Sequence, residues 1–90
     1  MTFTDIKLQI KAAKATIGED RIAFLKDHGA TYVINHNDPV VPTMDERTHE
    51  YKTITGALKA AYSNGWSRAE LESYYIEDGE SRWCHEIYLF

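Results

Sequence analysis

A chain of 90 residues, 43% hydrophobic and 27% charged, holds material for one small core. It is expected to form a single compact domain over residues 1–90, because so short a chain buries only about 60–65% of its unfolded surface. A formal net charge of −4 and a pI near 5.5 argue against general nucleic-acid affinity, which needs clustered Lys and Arg against phosphates. Cys84 is the only cysteine, which excludes an internal disulfide and fits a reducing compartment, and no stretch approaches the roughly 18 apolar residues of a membrane span. A cytoplasmic protein without a membrane partner is the expectation.

The first segment fits two periodicities. Ile6, Leu8 and Ile10 alternate with polar residues as in a strand, while Ile6, Ile10, Ala13 and Ile17 follow helical spacing. Thr4 as an N-cap, Asp5 in the first turn, the run KAAKA and Gly18 as a stop favour a helix. Glu19 and Asp20 then open a second helix, with Ile22 and Leu25 on one side and Lys26, His28 and Gly29 at a basic, glycine-terminated end. Thr31 to Asn35, rich in β-branched and aromatic residues between a glycine and a turn, is expected to be a strand inside the sheet.

The segment EDRIAFLKDHGATYVIN, about a fifth of the chain, resembles the helix–glycine–strand piece within the nucleotide-binding domain of medium-chain dehydrogenases. The resemblance implies helix-then-strand geometry and no cofactor, because the G-x-G-x-x-G turn that carries the family's phosphate chemistry does not precede Glu19.

Pro39 and Pro42 fall in a loop from His36 to Thr43. Thr43 and Glu46 match a capping box, and Met44, Tyr51, Ile54, Leu58 and Ala61 follow at helical spacing, which predicts the longest helix, weakened by Gly56 and ending at Asn64-Gly65. A second capping box, Ser67 to Glu70, predicts a short helix with Leu71 and Tyr74 inward. Asp78-Gly79 makes a tight turn, and Trp83, His85, Ile87 and Leu89 alternate along a closing strand from Arg82 to Phe90. Together these predict an α+β fold: three or four short helices packed on one face of a small antiparallel or mixed sheet, with a hairpin at Asp78-Gly79 as an optional extension.

Charge is distributed unevenly. Glu70 to Phe90 carries six carboxylates and five aromatic rings against one base, Arg82, whereas residues 1–69 hold nine bases and eight acids. The leading expectation is a non-catalytic acidic protein-binding module, an inhibitor or adaptor. It would occupy a basic surface of a partner protein, such as a nucleic-acid-binding one, through Glu70, Glu72, Glu77, Asp78 and Glu80, with Tyr75 and Trp83 as anchors. By analogy of class alone, small acidic proteins of phages and mobile elements block host nucleases in this manner. No cofactor, no direct nucleic-acid contact and no particular oligomeric state is implied.

Two other readings compete. AAYSNGWSRAELESYY is similar to a helix-turn-helix, with Ala61, Gly65 and Leu71 suitably spaced, although Glu70 and Glu72 would face phosphates. A small enzyme or metal protein would draw on His36, Asp38, His49 and Cys84, but none has C-x-x-C or H-x-x-x-H spacing, and Cys84 and His85 would point to opposite faces of a strand. Asp78, Glu80 and Glu86 make a poor setting for a nucleophilic thiol, so Cys84 reads more simply as a small buried residue. The carboxylate pairs Asp45/Glu46 and Glu77/Asp78 read as capping and turn residues.

Overall fold

Thr2, two residues ahead of the expected Thr4, caps the first helix in the computed structural model, which describes residues 2–36, 48–66 and 68–89. Thr2 Oγ1 accepts from the Asp5 amide at 3.1 Å and Asp5 Oδ2 accepts from the Thr2 amide at 3.2 Å, a reciprocal capping box that opens α1 (Phe3–Ile17). Helical spacing prevails over alternation because Ile6, Ile10, Ala13 and Ile17 then meet one core, leaving Leu8 60% exposed. Gly18, at φ +97°, breaks the chain between α1 and α2 (Glu19–Asp27). Gly29, at φ +63°, ends α2, and the Ala30 amide returns to the Leu25 carbonyl at 3.0 Å before β1 (Thr31–Asn35) begins.

Two expected helices are corrected. Thr43, Met44 and Glu46 lie outside the described residues, but Tyr51 belongs to a strand, β2 (Thr48–Tyr51), opposite Tyr32 of β1. Helix α3 (Ile54–Asn64) starts only where Thr53 Oγ1 can accept from the Gly56 amide, at 3.0 Å, so at 11 residues it is shorter than the 15-residue α1. Gly56 suits that cap, since a Cβ there would sit 2.9 Å from Thr53 Oγ1. Ser67 is outside the described residues, and the segment after it is not a helix but β3 (Glu70–Glu77), joined to β4 (Glu80–Tyr88) by the expected Asp78-Gly79 turn with φ +53° and +80°. Leu71 and Tyr74 suit a helix and a strand equally, and hydrogen bonds to β1 and β4 on both sides decide for the strand. A helix followed by a strand is not a helix-turn-helix, so that geometry is overturned.

The four strands form one antiparallel sheet in the order β2-β1-β3-β4, and with three helices among the described residues they make a small single-domain α+β fold. No helix among them is long and apolar enough to cross a membrane. Tyr32, Ile34 and Leu71, on one face of the sheet, share a core with Ala13 of α1, Leu25 of α2, and Ile54, Ala57, Leu58 and Ala61 of α3.

The expected alternation along β4 is broken once. Leu71 pairs with Ile87 but Glu72 pairs with His85, so Glu86 is an extra residue, a bulge that turns its side chain to the core side. There Glu86, its side chain 3% exposed, takes a two-pronged ion pair from Arg21 of α2, with Nε to Oε1 at 2.8 Å and Nη2 to Oε2 at 3.0 Å, and Ser73 Oγ donates to Oε2 at 3.2 Å. Hydrogen bonding to that carboxylate raises the Arg21 guanidinium above its already high pKa. The bulge therefore places Trp83 on the opposite face from Ile87, and Leu89 closes the hairpin's base by donating its amide to the Ala69 carbonyl at 2.9 Å.

Candidate functional site

The second face of the sheet contributes nothing to that shared core. Register places on it Val33 at the centre, Glu50 from β2, Glu70, Glu72, Tyr74 and Ile76 from β3, and Trp83, His85 and Tyr88 from β4. Val33 is 1% exposed, yet Ile76, Trp83 and Tyr88 are 61%, 56% and 72% exposed. Tyr74 reaches across β1 to donate its hydroxyl to Glu50 Oε1 at 3.3 Å, and its ring lies 4.4 Å from that of Trp83. His85 Nδ1 stands 3.5 Å from Glu70 Oε2 and its ring 4.3 Å from that of Tyr88. Partial burial, then the neighbouring Glu70, hold the Glu72 carboxyl above its ordinary pKa, against the opposing pull of Asn35 and His85. No lysine or arginine occupies a described strand position on this face, so its described strands carry only acidic charge beside the exposed rings.

The residues singled out from the sequence are divided by this geometry. Glu70, Glu72 and Trp83 share the second face. Tyr75 points to the helix side, half-buried, its ring 5.7 Å from Phe24 and 4.8 Å from His28. Glu77 and Glu80 are also on that side, where Arg82 offsets them at 3.9 and 3.6 Å, and Asp78 sits at the hairpin tip. Glu50, Tyr74, Ile76, His85 and Tyr88 were not singled out. The signal for two of them, Tyr74 and Ile76, was present as a period of two, Glu70-Glu72-Tyr74-Ile76, which becomes readable once the segment is taken as a strand.

The histidines of the metal reading come together without a full ligand set. His36 follows directly on β1 and His49 lies on β2, and their Nε2 atoms are 3.2 Å apart, with rings within 8° of parallel. Both lie on the Trp66 indole at centroid distances of 4.4 and 4.5 Å. The two nitrogens point at each other, one donating and one accepting, instead of converging on a common third point. Asp38 is outside the described residues, and Cys84 is on β4, separated from β2 by two intervening strands. Cys84 is exposed, contrary to the buried position expected for it, because β4 is an edge strand and the helices do not cover it there. Among the described residues no group of three His, Cys, Asp or Glu side chains is placed to hold a metal ion. No protein-family model, curated protein or solved structure matches this chain.

Proposed function

We propose that this protein is a non-catalytic binding module that docks a cationic surface of a partner protein on the second face of its sheet. One observation carries the reading: Glu50, Glu70 and Glu72 stand among exposed rings on a sheet face with no compensating lysine or arginine in its described strands. Among the described residues the helices share a core with the first face, while Ile76, Trp83 and Tyr88 on the second are 61%, 56% and 72% exposed, which supports this face as the docking surface. Arginine suits this face best, since its guanidinium pairs with carboxylates in a bidentate fork and stacks on rings such as Trp83 and Tyr74. A partner surface that otherwise holds nucleic-acid phosphates has the matching charge, which fits the inhibitor or adaptor role. Glu77 and Glu80, offset by Arg82 on the other side, are secondary.

The test is an NMR titration of labelled protein with an arginine-rich peptide at low salt. Amide shifts should centre on β1, β3 and β4, and Glu70→Lys/Glu72→Lys should slow association and flatten its salt dependence, while Glu77→Lys/Glu80→Lys has the smaller effect. Shifts confined to α1 and α2, or association unchanged in the Glu70/Glu72 variant, would place the working surface elsewhere.

A further inference from the structure

We infer that the helix side of the protein carries a separate small-molecule site, a cationic cleft for a multiply charged organic phosphate. A cleft of about 610 Å³ opens between α1, α2, the start of β1 and the start of α3, lined by Lys14, Lys26 and Lys52 together with the apolar Ile22, Ala30 and Ile54. A second cleft, of about 480 Å³, shares Lys14 and Ile22 with it and adds Lys7 and Lys11. Five of the chain's six lysines thus line two adjoining hollows in a protein of net charge −4. No carboxylate lines the first cleft, Glu19 alone lines the second, and among the described residues none of Lys14, Lys26 and Lys52 is within ion-pair distance of an acid.

Lys14, Lys26 and Lys52 give the cleft positively charged walls, and the positive end of α3, capped by Thr53 at the cleft's edge, adds to the same field. An anion offsets that charge, and its valence follows from the count: a monocarboxylate answers one of three ammonium groups, whereas a phosphate ester or a diphosphate answers two or three. The volume lies in the range of small-molecule sites, roughly 300–1,000 Å³, so there is room for a carbon body beside the charged head. Ile22, Ala30 and Ile54 supply apolar surface for that body. A ligand the size of a nucleoside diphosphate meets all three conditions. The site is independent of the acidic sheet face, and it stands or falls separately.

A fluorescent N-methylanthraniloyl nucleoside diphosphate is the probe, titrated into the full chain at low salt with pyrophosphate, the unphosphorylated nucleoside and a single-stranded oligonucleotide as competitors. Saturable binding displaced by pyrophosphate and not by the nucleoside is expected, with amide shifts at Gly29, Thr31 and Thr55. Each lysine lost should weaken binding by roughly tenfold, the worth of one charge-assisted hydrogen bond. Lys14→Gln/Lys26→Gln/Lys52→Gln should therefore abolish it at probe concentrations where wild type saturates. Lys52→Gln alone, on an exposed residue, repeats the measurement if the triple variant does not fold, and Lys59→Gln, outside both clefts, should bind as wild type does. No saturable binding at millimolar probe would overturn the inference, as would equal affinity for the unphosphorylated nucleoside, undiminished binding by Lys52→Gln, or binding of the oligonucleotide alone. Glu70→Lys/Glu72→Lys should leave this binding in place, which separates the result from that of the sheet-face titration.

Discussion

Arg21→Met tests whether the Arg21–Glu86 pair ties α2 to the sheet. Methionine keeps an unbranched stem of similar length while removing the guanidinium that lies 5.2 Å from the Phe24 ring and holds both oxygens of Glu86. The carboxylate, whose side chain is 3% exposed with Arg21 in place, would keep Ser73 as its remaining side-chain donor. Removing one partner of a fully buried pair costs about 3–5 kcal/mol. Arg21 is itself 33% exposed, so water can enter its place, and the expected cost is about 2–3 kcal/mol. For a domain of this size that corresponds to a fall in Tm of roughly 10–20 °C. Replacing both partners by apolar residues, Arg21→Met/Glu86→Leu, leaves no charge stranded and should cost only about 1 kcal/mol. The signature is therefore a double variant more stable than the Arg21→Met single variant, read from urea unfolding followed by circular dichroism. A single-variant cost below about 0.5 kcal/mol, typical of surface ion pairs, would show that Glu86 is hydrated and that the bulge does not lock α2 in place.

Three further outcomes follow from the same geometry. Because Glu72 is held above its ordinary pKa, the folded chain keeps a proton that the unfolded chain has lost over the window between the two values, and stability falls as pH rises through it. Glu72→Gln should thus be more stable than wild type at neutral pH, with the gain gone below about pH 4; equal urea midpoints at neutral pH would contradict this. Exposed Cys84 should react stoichiometrically with a maleimide in the native state, and Cys84→Ser should leave the thermal transition unmoved; protection of the thiol until unfolding would show that β4 is covered. Ending the chain at Glu86 removes Ile87, the partner of Leu71, and the Leu89 amide bond to Ala69. Cooperative unfolding should then be lost, and a transition within a few degrees of the full-length chain's would show that the end of β4 is dispensable.

Local chemistry made several parts of this protein legible in the sequence. Gly18, Gly29 and Gly65 stop helices, and Asp78-Gly79 turns a hairpin, because positive φ is a property of one residue and needs no distant partner. The same holds for TYVIN as a strand and for the acidic bias of the last 21 residues. Tertiary structure decided the rest. ELESYYIE satisfies both helical and strand periods, and it became β3 because β1 and β4, one of them some 35 residues earlier, supply its ladder hydrogen bonds. That choice sent Glu70, Glu72 and Trp83 to one face and Tyr75 to the other, a division no spacing argument could make while the segment was read as a helix. The Glu86 bulge, the contact between His36 and His49, and the gathering of five lysines around two clefts all join residues far apart in the chain. Sequence determines which residues can turn, cap or repel; only the register of the strands and the packing of the helices determine which of them meet.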